Sequence, residues 1–140
     1  MLYHYGMYKS SLESLIALDL PSKQFMVMGS GILEALGIRN AEDIDLVVSD
    51  DVYGELAGEQ GWTQETASNG SARLARGIFQ VYDSWYDESE VISLDQLIKD
   101  AQWVNGIAFN SLQKLILYKS RRGQAKDLVD LRLINQYLDS

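Results

Sequence analysis

Residues 25 to 37 constrain the chain more tightly than any other segment. Four consecutive apolar residues, Phe25-Met26-Val27-Met28, run into Gly29-Ser30-Gly31, after which Ile32, Leu33, Ala35 and Leu36 recur at helical spacing and Gly37 closes the run. A short unbroken apolar stretch bounded by glycine reads as a buried strand, and the spacing beyond it as a helix ended by glycine. Strand, tight turn and helix in succession call for a sheet with a helix laid on it.

The next segment extends that sheet. Ile44, Leu46 and Val48 alternate with Asp43, Asp45 and Val47, a period of two that puts both aspartates on one face of a strand. Ser49-Asp50-Asp51 then caps a helix expected to reach about Gln60. Upstream, Leu12, Leu15, Ile16 and Leu18 predict an opening helix from Ser11, stopped at Leu20-Pro21 because a residue before proline avoids the α region.

The glycines and small polar residues between Gly61 and Gly77 predict short strands joined by turns, and Ile78 to Tyr82 a further strand. Asp83 to Glu90 reads as a polar loop. Ser93-Leu94-Asp95-Gln96 has the spacing of a capping box ahead of a helix, and Trp103 to Phe109 that of an extended segment. Asn110 is the expected cap of a helix carrying Leu112, Leu115, Ile116 and Leu117. A last helix sets Leu128, Leu131, Ile134 and Leu138 on one stripe. Strands first and helices last predict an α/β or α+β fold, a small mixed sheet with helices packed on it and two C-terminal helices.

Composition bounds the function. The 140 residues, 46% apolar and 23% charged, suit a single domain over 1–140 with one core. No cysteine is present, so disulfides and cysteine-based zinc sites are excluded. Met1 to Tyr8 lacks the long apolar run of a signal peptide, and no stretch approaches the roughly 18 apolar residues of a membrane span, so a cytoplasmic protein is expected. A formal charge of -8 repels phosphate backbones and argues against broad nucleic-acid binding. Any anion site must be local. Lys119, Arg121, Arg122 and Lys126 form the one dense basic patch.

Gly29-Ser30, twelve residues, and Asp43-Ile44-Asp45 together resemble the signature of the minimal nucleotidyltransferase superfamily, with the DNA polymerase beta-like fold. The likeness continues through Gly37-Ile38-Arg39, Leu46-Val47-Val48, and the tail Tyr118-Lys119 to Lys126-Asp127-Leu128-Val129-Asp130, which is similar to small bacterial antibiotic-type and toxin/antitoxin-type members. The resemblance implies Mg²⁺-dependent transfer of a nucleoside monophosphate from a triphosphate, ATP for preference, to a hydroxyl on a small molecule, protein or RNA end. It implies metal ligation by Asp43 and Asp45 and nucleotide binding by Gly29, Ser30, Gly31, Arg39, Lys119 and Lys126.

Each part has a chemical reason. Glycine lets backbone approach a phosphate, and a serine hydroxyl adds a donor. Two carboxylates two apart on a strand offer hard oxygens to one or two Mg²⁺ ions. A third carboxylate, implied by the resemblance as metal ligand and base, falls to Asp83, which ends the strand from Ile78 in phase with Phe79 and Val81. Gln80, on the alternate phase, cannot ionise, so a slip of one residue would leave the site without its third acid.

Plainer readings stand beside these. Gly29-Ser30-Gly31 lacks the glycine at position 34 of a dinucleotide fingerprint and serves equally as an ordinary turn. Lys119 and Lys126 have Asp127 and Asp130 nearby as partners. Trp62, Trp85 and Trp103 are aromatic enough to stack a base but common in cores, and His4 carries no assigned role. The rival function is a catalytically inactive nucleotide-binding or partner-binding module of the same fold, a sensor or a toxin/antitoxin component. A homodimer is the expected assembly, since a small open site borrows a wall from a partner.

Overall fold

The computed structural model describes residues 10 to 140. His4 therefore lies outside the described residues. The fold is mixed α and β, with six helices and nine strands among those residues. In chain order these are α1 (Ser11–Ala17), β1 (Phe25–Met28), α2 (Gly31–Ala35), β2 (Ile44–Val48), α3 (Asp50–Ala57), β3 (Thr63–Thr66), β4 (Ala72–Arg76) and β5 (Phe79–Tyr82). There follow β6 (Ser84–Asp87), β7 (Glu90–Ser93), α4 (Leu94–Lys99), β8 (Gln102–Val104), β9 (Ile107–Phe109), α5 (Leu112–Arg122) and α6 (Ala125–Leu138).

Seven strands form one mixed sheet in the order β3-β4-β5-β2-β1-β9-β8. At its centre β1 runs antiparallel to β2, pairing Met28 with Asp45, and β2 runs parallel to β5, pairing Asp45 with Gln80. The two central strands are buried on both faces, as their apolar runs require. On one face Val27, Ile44, Leu46, Val48, Phe79 and Val81 meet residues of α1, α2, α3, α5 and α6 in a core that reaches from Leu15 to Ile134. On the other, Met26, Met28 and Val47 pack on Leu94 and Ala108, with Tyr82 and Trp85 at the edge. Each fully buried Leu or Ile contributes roughly 1.5–3 kcal/mol, so this two-sided burial dominates stability.

Local caps follow side-chain chemistry. Ser10, Ser49 and Ser93 each accept from the backbone N–H three residues on, and Ser93 with Gln96 completes the expected capping box. Several boundaries differ from the sequence expectation. The opening helix ends at Ala17, with Asp19 in the left-handed region at φ 53° before Pro21 is reached. The helix after Ser49 ends at Ala57, short of Gln60, where Gly58 caps it.

Three differences are larger. The stretch Asp83 to Glu90 is no loop: β6 and β7 pair as a separate antiparallel hairpin, turning at Glu88, whose φ is 57°. Trp103 to Phe109 folds as a second hairpin, because Asn105-Gly106, with φ of 50° and 79°, makes the left-handed two-residue turn that such pairs favour. On α6 the buried residues are Asp127, Asp130 and Ile134, while Leu128 and Leu138 are more than half exposed. The inward face thus keeps Ile134 and half-buried Leu131 of the expected stripe but turns away from Leu128 and Leu138, and ion pairs described below satisfy the two buried acids.

No helix among the described residues is long and apolar enough to cross a membrane.

Candidate functional site

β1 and β2 are antiparallel, so the bend that follows Met28 and the approach to Ile44 lie at the same end of the sheet. There Gly29, Ser30, Asp43 and Asp45 line a cleft of about 690 Å³. Gly29 sits at φ +68°, a conformation L side chains rarely adopt, and a Cβ added to it would stand 3.5 Å from Asp45 Oδ2. The bend and the carboxylate are thus separated by no more than the space of a methyl group. Ser30 occupies the N-cap position of α2 yet its side chain makes no cap hydrogen bond.

Gly31 has a different job from the one its sequence suggests. It is buried and is not among the residues lining the cleft. A Cβ there would lie 2.4 Å from Val27 Cγ1, so the missing side chain lets the helix close onto the strand and does not open a path for phosphate.

Asp45 is half-buried on the Met28 and Val47 side of the sheet, while Asp43 is exposed just ahead of β2. Burial, and then the charge of Asp43, push the Asp45 carboxyl up to about 6; Arg73 on β4 partly opposes this. Neither aspartate forms a hydrogen bond or ion pair among the described residues. Hard oxygens held close and unneutralised are a donor set suited to Mg²⁺.

The expected third carboxylate is not part of this arrangement. Phe79 and Val81, the residues in phase with Asp83, face the larger core, opposite the side on which Asp45 stands. Asp83 follows β5 exposed and does not line the cleft, and its charge acts on Tyr53 of α3. The β5 residue in register with Asp45 is Gln80. The parity of the strand, set by core burial, decides this. Among the described residues no cluster of three His, Cys, Asp or Glu side chains able to hold a metal occurs.

The basic wall of the cleft comes from the two last helices and the segment after α2. Arg39 makes a two-pronged pair with Asp130, Nε to Oδ1 at 2.6 Å and Nη2 to Oδ2 at 2.8 Å. Lys119, with its side chain only 5% exposed, donates to Asp130 at 2.8 Å and stands 3.6 Å from Asp127. Arg122 grips Asp127 through Nε and Nη2 at 2.8 and 2.6 Å, and the Gln124 N–H adds a third donor. The Arg122 hydrogen bond leads in holding the Asp127 carboxyl far below the usual carboxylate range, against the effect of burial.

Three cations thus share two carboxylates, which leaves the cluster net positive. All three line the cleft. Lys119 is committed to its acids, whereas Lys126 lines the cleft exposed and without an ion-pair partner among the described residues. Arg121, the fourth member of the basic patch, turns away to Asp87 and Glu88 of the β6–β7 hairpin. That hairpin supplies the remaining wall, with Trp85, Tyr86 and Asp87 beside Tyr118 of α5. Trp85 was one of three tryptophans open to a stacking role; Trp62 is buried in the core and Trp103 lies on β8, away from the cleft.

The sequence assigns no individual site role to Arg122 or Asn110 and does not reveal the hairpin wall. Arg122 was visible as part of the basic patch. Asn110, expected as a helix cap, instead donates from Nδ2 to the Gly29 carbonyl at 3.3 Å, and Ser111 caps α5. No family model, curated protein or solved structure matches the chain.

Proposed function

We propose that the cleft binds a nucleoside triphosphate through Mg²⁺ and that the chain is a nucleotidyltransferase-type domain, moving a nucleoside monophosphate to a hydroxyl acceptor. The observation that carries this reading is the nearness of the left-handed Gly29 bend to the Asp45 carboxylate, with Asp43 and Ser30 in the same cleft. A glycine bend beside a pair of acids without hydrogen-bonding partners suits a cation and a polyanion that arrive together.

In this reading Asp43 and Asp45 hold the cation, the Gly29 backbone and Ser30 hydroxyl flank the phosphates, and Lys126 with the outer edges of Arg39 and Arg122 meets their far end. A bound Mg²⁺ would supply charge neutralisation along the triphosphate. In the transfer, a bond forms from the acceptor oxygen to the α-phosphorus, the bond to the β-phosphate bridging oxygen breaks, and pyrophosphate departs. The acceptor proton goes to a base, and with Gln80 beside Asp45 that base is solvent or Asp45 itself. A positioned general base contributes typically 10²–10⁴-fold, so transfer is expected to be slow. ATP is the first triphosphate to test.

Gln80 also favours a second reading, a domain that binds Mg²⁺-nucleotide without turnover and acts as a sensor or partner-binding component. Calorimetry with Mg²⁺-ATP and labelled-triphosphate transfer across a panel of hydroxyl acceptors separate the two. Binding with transfer supports the first, and binding alone the second. Equal binding by wild type, Asp43→Asn and Asp45→Asn would remove both.

A further inference from the structure

We infer that the cleft takes one divalent cation, not a pair, because the row of the sheet through Asp45 supplies no second carboxylate. This rests on the proposed nucleotide site and specifies its metal content. Across the sheet, the residue paired with Asp45 on β1 is Met28, that on β5 is Gln80, and Gln80 in turn pairs with Ala75 on β4. The row through Asp45 therefore carries a thioether, an amide and a methyl group.

The adjoining position on this face carries an ion pair and no free acid. Arg73, two residues before Ala75 and so on the same face, donates to Glu65 at 2.6 Å and to the Tyr82 hydroxyl at 3.1 Å, which fixes it beside the row. Two metal ions about 4 Å apart need carboxylates that bridge and flank them. Of the other carboxylates lining the cleft, Asp87 and Asp130 are held by Arg121 and by Arg39 with Lys119, and Glu42 acts on the Arg39 charge; Asp83, outside the cleft, belongs to the opposite face. One Mg²⁺ takes Asp43 and Asp45; a second would find no carboxylate on the row through Asp45 to bridge to. An amide oxygen at residue 80 offers a dipole but not the charge of a bridging carboxylate.

The test is a Mn²⁺ titration of the full chain saturated with α,β-methylene ATP, followed by electron paramagnetic resonance and by direct counting of protein-bound Mn²⁺. The expected result is one Mn²⁺ per complex with an uncoupled spectrum, and a second, spin-coupled Mn²⁺ in Gln80→Asp or Gln80→Glu. Two coupled ions in the wild type would overturn the inference and leave the nucleotide site standing. Unchanged stoichiometry in both folded Gln80 variants would overturn it as well. Absence of protein-bound Mn²⁺ in the wild type would remove the inference and the nucleotide site together.

Discussion

Asn110 Nδ2 donates to the main-chain oxygen of Gly29 at 3.3 Å, while the Asn110 backbone N–H donates to Val27 at 3.0 Å. One residue thus holds the end of β1 and the bend after it. The side chain is 3% exposed, and its Oδ1 has no protein partner among the described residues.

Asn110→Ala removes the grip on the bend at small cost to the fold. A single long hydrogen bond is worth about 1 kcal/mol, offset by release of an unpaired buried acceptor. The thermal midpoint is expected to stay within about 4 °C of wild type, while amide exchange at Ser30 and Gly31 accelerates. An unchanged exchange rate at those two amides would refute the role of Asn110.

Gly31→Ala is expected to destabilise by about 1–3 kcal/mol, since its Cβ would press into Val27 at 2.4 Å. Val27→Ala in the same chain should recover part of that loss, because the clashing methyl is gone. Urea unfolding of the two single variants and the double variant measures the coupling. Strict additivity would show that the two residues do not meet.

Asp130→Ala leaves Lys119 with only the more distant Asp127 and frees Arg39. Breaking a buried pair of this kind costs about 3–5 kcal/mol. Burial pushes the Asp130 carboxyl up, but the bonds from Arg39 and Lys119 prevail and hold it below its ordinary value. Asp127 is lowered as well. A carboxyl lowered in the fold stabilises above its unfolded value, near 3.9, and loses that contribution as pH falls. Wild-type stability should therefore drop steeply below about pH 4, and the drop should be shallower in Asp130→Ala.

Asp45→Asn should stabilise the metal-free protein. The Asp45 carboxyl is raised from 3.8 to about 6, so the folded state holds its proton more tightly than the unfolded chain and stability declines as pH climbs between those values. That rise corresponds to about 3 kcal/mol at most. The gain from Asn should be present at pH 7.5 and vanish near pH 4, as read by thermal unfolding at both values. A variant less stable than wild type at pH 7.5 would contradict the assignment.

Much of this was legible in the sequence. The run Phe25 to Met28, the glycine bend and the alternation from Asp43 to Val48 are local patterns, and burial on both sides of β1 and β2 enforces them. What escaped was long-range or parity-dependent. The phase of Asp83 depends on which face of β5 meets the larger core, a property of the neighbouring helices and not of residues 78 to 83. The inward turn of α6 was hidden because its buried positions are Asp127 and Asp130, whose partners lie on other elements. Hydropathy reads such acids as outward. The Asn105-Gly106 turn, by contrast, was a local signal whose hairpin meaning was passed over.

The β6–β7 hairpin hydrogen-bonds to no strand of the main sheet, and Arg121 ties its tip to α5. Its outer residues can therefore change without breaking the hydrogen-bonded ladder that holds Asp45 in place, while Trp85 stays packed on the smaller core. On the proposed reading, selectivity for whatever enters the cleft belongs to the hairpin and the hold on a phosphate chain to the glycine bend, so one can be redesigned while the other is kept.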